Sequence, residues 1–318
     1  MNRIAIASAL AVVLSSGCSG SLPPPTFPTS HVPDITRSST SARIQHVIIV
    51  VQDQRTFDNL FAGFPGANSA TYGLTHDGKP VPLRETTFYT SAECFTPYGF
   101  GAFDTAWDHG KMDGFDRLDA TKPLCPYTRI SRSETKPYWD LAKRYALADN
   151  AFASTRYEAI RYVREGRDWK TDVVSPAARV LSDVKNGNLK QVSWVISGIR
   201  ESDAPFVRSA GGPAWVNSIV QTAQKSRYWS HLAIIVVWAS DGSEAFYDNV
   251  APPQLSRMGL GLRVPMIVIS PYAKRGYVSH TIYQNGGSTL RFIEESFGLK
   301  SLGATDVTAN SIRDCFVQ

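Results

Sequence analysis

Residues 44–53 read IQHVIIVVQD, and the middle of this stretch is a continuous apolar run rich in β-branched side chains. A run of this kind is typical of a strand that is buried on both faces, as in a parallel sheet covered by helices. Two similar runs follow at residues 233–238 (AIIVVW) and 264–270 (VPMIVIS), and a weaker one lies at 192–197 (VSWVIS). The sequence therefore predicts a sheet assembled from these buried strands.

Amphipathic helices are predicted between the strands. Their predicted starts are Pro137, Ser175-Pro176, Pro213 and Ser288. Gly187 and Gly298 are the predicted ends of two of them, since glycine commonly follows the last helical turn. Buried strands that alternate with such helices predict an α/β fold, with a largely parallel central sheet and helices on both faces.

The residues that follow each strand are the first candidates for a functional site, because open parallel sheets bind ligands at the carboxyl ends of their strands. Three such segments stand out in the sequence: Asp53-Gln54-Arg55, Ala239-Ser240-Asp241 and Pro271-Tyr272-Ala273. We therefore expect these segments to meet at one edge of the sheet.

The N-terminus is predicted to be an export signal. Residues 1–17 combine a positive start, an uncharged apolar run and small residues. The apolar run is too short for a bilayer, which takes about 20 residues, and it fits a signal peptide. Cys18 follows directly and resembles the lipidation site of a bacterial lipoprotein, with an ordinary cleaved signal peptide as the alternative. The protein is therefore expected to be secreted or anchored in the cell envelope, at the periplasmic or outer-membrane face.

Residues 18–43 are rich in Pro, Ser and Thr, which predicts an extended tether between the lipidated cysteine and a folded domain over residues 44–318. The chain has 318 residues, of which 43% are hydrophobic and 19% charged, so a disordered, collagen-like or coiled-coil protein is excluded. The net charge of +5 is spread along the chain without a basic run, so no nucleic-acid partner is expected. Cys94 and Cys125 lie in one loop-rich region and are the expected disulfide, which leaves Cys315 free.

Residues 47–61 (VIIVVQDQRTFDNLF) resemble the opening strand and helix of the bacterial phosphoesterase family that includes phosphatidylcholine-type phospholipases C and acid phosphatase A. Further blocks follow in the order of that family: 110–115 (GKMDGF), 137–152 (PYWDLAKRYALADNAF), 168–175 (DWKTDVVS), 211–220 (GGPAWVNSIV), 234–238 (IIVVW), 262–280 (LRVPMIVISPYAKRGYVSH) and 310–316 (NSIRDCF). The resemblance implies an alkaline-phosphatase-like fold and a hydrolase that cleaves phosphate monoesters or phospholipid headgroups at a divalent metal ion.

The resemblance also implies which residues hold the metal. The family usually has Glu-Asn after the first strand, and this chain has Asp53-Gln54, which keeps both functional groups but moves each by one methylene. Asp53, Gln54 and Asp241 are the candidate ligands, whereas Ala239 stands where the family has an acidic residue and cannot bind a metal. Asp53 has an alternative interpretation as an exposed carboxylate that caps the helix predicted near Thr56.

The nucleophile is where the chain departs most from the family. In the family, a segment that carries the nucleophile and a histidine follows the equivalent of residues 151–154, but here the match resumes at 162–172. We therefore expect a deletion near residues 154–160. Ser154 and Thr155 are the candidate replacements, and their alternative interpretation is as ordinary loop hydroxyls.

Three further residues bear on the chemistry. Arg55 could hold a phosphate oxygen or pair with Asp58. His280 matches a family histidine and could bind phosphate, support the site from behind or be structural. Asn249 stands where the family has a histidine, and an amide cannot act as a general acid.

These differences predict a phosphoesterase-family hydrolase with a degraded active site and weakened metal binding. Two alternatives remain open on the sequence. One is a catalytically inactive family member that binds a ligand, a lipid surface or a partner after export. The other is a truncated relic of marginal stability.

Overall fold

The computed structural model describes residues 43–94, 97, 99–153, 172–240, 246–254 and 259–317. The strands within these ranges are β1 (His46–Asp53), β2 (Tyr72–Leu74), β3 (Pro80–Pro82), β4 (Arg84–Thr86), β5 (Thr128–Ile130), β6 (Ala146–Ala148), β7 (Ala151–Phe152), β8 (Val192–Ile196), β9 (Leu232–Ala239), β10 (Met266–Ile269), β11 (Tyr277–Ser279) and β12 (Tyr283–Gln284). The α-helices are α1 (Phe57–Phe61), α2 (Phe88–Ser91), α3 (Phe100–Trp107), α4 (Arg132–Arg144), α5 (Arg179–Asn186), α6 (Gly211–Gln224) and α7 (Asn285–Phe297).

The central sheet has six strands in the order β11-β6-β10-β9-β1-β8. β1 pairs in parallel with β8 and β9, and β11 pairs in parallel with β6. β10 runs antiparallel to both of its neighbours, β9 and β6, so it alone is reversed. The predicted α/β class with a largely parallel sheet is confirmed, and the architecture is compatible with an alkaline-phosphatase-like fold.

The direction of β10 corrects one prediction. Pro271-Tyr272-Ala273 follows β10, so it lies at the edge opposite to the one that holds the end of β1. A parallel connection needs a long crossover, usually a helix. The described residues between β9 and β10 contain no helix, and β10 returns alongside β9 in the opposite direction. Arg263, which precedes β10, lies instead at the carboxyl edge of the other strands.

Helices cover both faces of the sheet, as predicted. Ile48 and Val50 of β1 pack in a cluster with apolar residues of α1, α4, α5 and α6. Val47 and Ile49 point the other way and pack in a second cluster with residues of α7 and of the C-terminal segment. The side chains of a strand alternate between its two faces, so the uninterrupted apolar run of β1 supplies both cores.

Three helix starts, those of α4, α5 and α7, differ from the prediction. α4 begins at Arg132 because Ser131 is its N-cap and its side chain accepts a hydrogen bond from the Glu134 amide, so Pro137 lies inside the helix. α5 begins at Arg179, after the predicted start at Ser175-Pro176. At α4, an N-cap that bonds the helix amides decides the start more strongly than a proline, which only fits the first turn well. The N-cap of α5 is Ala178, which makes no side-chain hydrogen bond to the helix.

The start of α6 and the ends of α5 and α7 follow the sequence more closely. Pro213 lies in the first turn of α6. Ser288 lies inside α7 and is not its cap, because α7 begins at Asn285. Gly187 and Gly298 end α5 and α7 with φ angles of 82° and 66°. This left-handed backbone costs glycine little, which is why both predicted ends are confirmed.

A loop-rich layer lies between β1 and α4 in the sequence and contains β2–β5, α2 and α3. The Cys94–Cys125 disulfide lies within this layer and confirms the predicted pairing, while Cys315 is free and buried. The layer has its own apolar cluster, in which Phe115 and Tyr127 pack against Tyr247. Tyr247 follows β9, so this cluster fixes the layer next to the carboxyl edge of the sheet.

The signal peptide, Cys18 and nearly all of the tether fall outside the described residues. Within the described ranges, we find no helix with the length and apolar character needed to span a bilayer.

Candidate functional site

The candidate site lies at the carboxyl edge of the sheet, where β1 and β9 end side by side. Asp53 is the last residue of β1, and its partner across the two strands is Ala239, the last residue of β9. The predicted meeting of these two strand ends is therefore observed. Asp241, the candidate metal ligand that follows β9, falls outside the described residues.

Asp53 is partly buried, and its Oδ2 accepts a hydrogen bond from the Ser202 hydroxyl at 2.7 Å. Burial raises the pKa of Asp53, because it disfavours the charged form, and the Ser202 hydrogen bond acts in the opposite direction. The N-cap of α1 is Thr56, whose side chain accepts a hydrogen bond from the Asn59 amide. The alternative interpretation of Asp53 as an exposed helix cap is therefore wrong.

Gln54 turns the chain from β1 into α1 with a φ angle of 45°, a left-handed conformation that is costly for a residue with a side chain. Its backbone N–H donates to the Ala239 carbonyl at 3.0 Å, which holds this turn against the end of β9. Its side-chain Oε1 is buried and finds no hydrogen-bond partner among the described residues. An acceptor in this state is suited to a ligand cation or donor.

The donor types at this point suit a hard divalent cation, which prefers carboxylate and amide oxygens. Asp53 and Gln54 supply one of each, whereas Ala239 supplies only a methyl group. Over the described part of the chain, no group of three or more His, Cys, Asp or Glu side chains is placed to hold a metal ion. The described residues therefore do not form a complete metal site, and we derive no catalytic step through a metal.

Arg55 is fully buried directly behind the candidate ligands. Its guanidinium donates hydrogen bonds to the Asp203 carbonyl, the Asn59 side chain and the Ser91 hydroxyl, at 2.7, 3.2 and 3.0 Å respectively. Its flat faces lie over the rings of Phe88 and Phe246. The pairing with Asp58 that the sequence left open is not observed, since Asp58 pairs with Arg263.

Asp203 is a buried carboxylate beneath the site, and its Oδ2 accepts hydrogen bonds from the Tyr138 hydroxyl at 2.8 Å and the Trp238 indole at 2.9 Å. Its backbone N–H donates to the side-chain oxygen of Gln52. Burial raises the pKa of Asp203 to about 7, although these hydrogen bonds and Arg55 favour the charged form. Asp203 thus connects β1, β9 and α4 through polar contacts.

A second buried charge cluster consists of Asp58, Asp248 and Arg263, all of which are fully buried. The Arg263 Nε lies 2.8 Å from Asp248 Oδ1, and its Nη2 lies 3.6 Å from Asp58 Oδ2. Burial and the neighbouring Asp248 charge raise the pKa of Asp58, while Arg263 lowers it. The Arg263 guanidinium therefore pairs with both carboxylates, so Asp58 and Asp248 bind a cation that belongs to the protein itself.

Asn249 completes this cluster. Its backbone N–H donates to Asp58 Oδ2 at 2.9 Å, and its side-chain oxygen accepts from Arg263 at 2.7 Å. Asn249 thus fixes the positions of two charged groups. The sequence pointed to Asn249 but not to Arg263, because the predicted parallel direction of β10 placed Arg263 at the other edge.

His280 follows β11 and is exposed, with its Nδ1 2.8 Å from Oδ2 of the buried Asp149. The Asn68 amide donates to the same carboxylate oxygen at 2.7 Å, and Asp149 Oδ1 is buried without a partner in the described ranges. Asp149 orients the imidazole through its Nδ1. Asp149 was missed because it follows β6, a strand of three residues that is too short to show a period. The block at residues 137–152 was the only signal that pointed to it.

Ser154 and Thr155, the candidate nucleophiles, fall outside the described residues. Of the predicted site residues, the structure brings Asp53 and Gln54 together at the end of β1, places Arg55 behind them, and places His280 at the end of β11.

The Phosphoesterase family profile matches residues 44–160 and 156–300 of this chain. The chain belongs to the phosphoesterase family. The two matched segments overlap at residues 156–160.

Curated relatives of the phosphoesterase chain include proteins named non-hemolytic phospholipase C. The protein of that name from Pseudomonas aeruginosa is 29% identical over 164 residues, which cover 41% of this chain and 22% of the relative. The one from Burkholderia pseudomallei is 30% identical over 154 residues, 40% of this chain and 22% of the relative. Phospholipase C B from Mycobacterium tuberculosis is 30% identical over 143 residues, 37% of this chain and 27% of the relative. The alignments thus span 22% to 27% of the lengths of these relatives.

Proposed function

We propose that this protein is a hydrolase of phosphate esters, either phosphate monoesters or phospholipid headgroups, with a degraded active site and slow turnover. Family membership supports the reaction class, and the relatives named phospholipase C support a phospholipid substrate. The observation that carries the proposal is the position of Asp53 and Gln54 at the carboxyl end of a central strand, where sheets of this kind bind ligands.

Three features support the degraded state. Ala239 lies opposite Asp53 and offers no ligand atom. Asp58 and Asp248 are occupied by Arg263. The predicted deletion removes the family's nucleophile segment and leaves Ser154 or Thr155 to act in its place. Loss of a nucleophile alone can reduce a rate by several orders of magnitude.

We assign the remaining polar residues to substrate binding and support. His280 is exposed and held at Nδ1 by Asp149, so its Nε2 is free to face a phosphate oxygen or a leaving group. Arg55 is buried and acts from behind the site by holding the Asp203 backbone. Asp53, Gln54 and Asp241 remain the proposed metal ligands, with the described residues supplying only the first two.

We propose that the protein is exported and anchored by a lipid on Cys18, with residues 18–43 as the tether. The Pro-, Ser- and Thr-rich composition of that segment supports a spacer between a membrane and the folded domain. A Cys18→Ser variant should lose incorporation of labelled fatty acid and leave the membrane fraction. Unchanged labelling would contradict the anchor, and loss of the membrane association alone would not establish it.

A second candidate is a catalytically inactive relative that binds a phosphate ester, a lipid surface or a partner without turnover. The observation that favours it is that no three His, Cys, Asp or Glu side chains lie together as metal ligands in the described ranges. This candidate predicts binding of phosphate esters at the carboxyl edge without hydrolysis.

Hydrolysis of p-nitrophenyl phosphate and p-nitrophenylphosphorylcholine by the full chain distinguishes these candidates. The assay should be repeated with Mg²⁺, Ca²⁺, Mn²⁺ and Zn²⁺. A small rate above buffer that is lost in Asp53→Ala is expected for the degraded hydrolase. The matched control is Asp77→Ala, since Asp77 is an exposed carboxylate whose partners among the described residues are Lys79 and Thr75. A rate equal to buffer would favour the inactive binder, and a rate that survives Asp53→Ala would contradict the proposed site.

A further inference from the structure

A cavity of about 450 Å³ lies at the edge of the sheet opposite to the candidate active site. Its walls come from the end of α4, the end of α6 and the segment after the reversed strand β10, and its lining residues include Arg144, Tyr145, Gln224, Trp229, Ser270 and Arg275. Small-molecule sites commonly have volumes of roughly 300–1,000 Å³. The cavity is therefore large enough for a ligand of that class.

The charge of the cavity is positive. Arg144 and Arg275 are both exposed, and neither guanidinium makes a hydrogen bond or ion pair with any residue in the described ranges. None of the described residues that line the cavity carries a carboxylate. Arg144 lies in the last turn of α4, where the helix dipole stabilises a positive charge. Arg275 lies on a loop, so no helix dipole stabilises its charge. Two unpaired cations in one cavity attract an anion.

One wall of the cavity is aromatic. The rings of Tyr145 and Trp229 meet edge to face, with their centroids 6.2 Å apart. The Gln224 side-chain amide donates to the Tyr145 hydroxyl at 2.7 Å, which fixes that ring. The cavity thus combines two guanidiniums with an apolar, rigid surface.

We propose that this cavity binds a phosphate ester that carries an apolar group. Arg144 and Arg275 bind the phosphate oxygens through charge-assisted hydrogen bonds, for which the planar guanidinium is well suited. The apolar group packs against Trp229. A soluble organic phosphate and the headgroup of an anionic phospholipid share this chemistry. The site is separate from the carboxyl edge and does not depend on the proposed hydrolysis.

Calorimetric titration of the full chain with phenyl phosphate and with inorganic phosphate tests the site. Phenyl phosphate should bind more tightly, and the Arg144→Ala/Arg275→Ala double variant should weaken its binding by about ten-fold or more, since hydrogen bonds to charged groups are strong. The matched control is Arg84→Ala/Arg117→Ala, which removes two exposed arginines outside the cavity lining. That control should leave the affinity unchanged.

Vesicles identify the source of the phosphate. Co-sedimentation with phosphatidylglycerol vesicles that exceeds co-sedimentation with phosphatidylcholine vesicles, and that falls in the Arg144→Ala/Arg275→Ala variant, would assign a lipid headgroup. Binding of phenyl phosphate without this preference would assign a soluble organic phosphate. No binding of phenyl phosphate, or equal binding by wild type and double variant, would overturn the proposal. Equal affinity for phenyl and inorganic phosphate would overturn the role of Trp229.

Discussion

The two edges of the central sheet use their charged side chains differently. At the carboxyl edge, Arg263 is buried against Asp58 and Asp248, and Asp149 is bonded to His280. At the amino edge, Arg144 and Arg275 line a cavity without an ion-pair partner in the described part of the chain. At the carboxyl edge, where the family's chemistry is expected, most of the charged side chains therefore pair with other groups of the protein.

On the proposed function, this difference is how the phosphoesterase fold is kept while the reaction weakens. A buried carboxylate that binds an arginine contributes to the architecture of the edge and is not available for a metal or a substrate. Asp53 and Gln54 are exceptions, because Asp53 accepts its hydrogen bond from the Ser202 hydroxyl and not from an arginine, and the Gln54 side-chain oxygen is buried without a partner in the described residues.

The largest effect is expected from Arg263→Met. Removing this guanidinium leaves Asp58 and Asp248 buried without their cation, and breaking a buried pair in this way typically costs about 3–5 kcal/mol. Urea unfolding at pH 7 measures the loss. Arg144→Met is the matched control at the other edge and should change the free energy of unfolding by less than about 0.5 kcal/mol. Equal losses of unfolding free energy in the two variants would contradict the claim that the two edges use their charged side chains differently.

Removing the disulfide should destabilise the loop-rich layer that lies against the carboxyl edge. Cys94 and Cys125 are separated by 31 residues, and a loop of this size corresponds to about 3–4 kcal/mol in the chain-entropy model. The Cys94→Ser/Cys125→Ser variant should show faster amide exchange in residues 72–130, with little change in β9 and β10. Uniformly faster exchange across the sheet would show that the layer and the sheet unfold as one unit.

Asp203→Asn should change how stability depends on pH. The pKa of Asp203 is raised from 3.8 to about 7 in the folded state, so the folded protein holds a proton that the unfolded chain releases between these values. The wild type should therefore lose stability relative to the variant as pH rises from 5 to 7, by up to about 1.4 kcal/mol per pH unit. Urea unfolding at pH 5, 6 and 7 measures this slope. Parallel pH profiles would show that Asp203 is not protonated in the folded protein.

The smallest effect is expected from His280→Ala. His280 is exposed and its contact with Asp149 is partly screened by water, so the loss of stability should be about 0.2–1 kcal/mol. The same variant should reduce any phosphate-ester hydrolysis far more than it reduces stability. A loss of several kcal/mol would indicate a structural histidine and would remove it from the proposed site.

The sequence predicted the centre of the sheet well, because β1 and β9 are long and continuously apolar. It did not predict the direction of β10, since a doubly buried strand has the same apolar pattern in either direction. It also did not predict β6, because a strand of three residues between a helix and a turn has no measurable period.

The unpredicted direction of β10 and the unpredicted strand β6 decide which residues of the site the sequence did not identify. Asp53 and Gln54 were predicted correctly at the strand end, because the position follows from β1 alone. Arg263 was missed because its place at this edge depends on the reversal of β10, and Asp149 because it depends on β6. Contacts between distant segments, such as Arg263 with Asp58, are set by packing and leave no local pattern in the sequence.

The turnover number for p-nitrophenylphosphorylcholine, measured on the full chain at saturating substrate and metal, tests the central claim most directly. Typical enzymes have kcat values of about 1–1,000 per second. Our account predicts a kcat at least about 1,000-fold below the lower end of that range, with the residual rate lost in Asp53→Ala. A kcat within the typical range that is abolished by Asp53→Ala would show an intact active site and contradict the account.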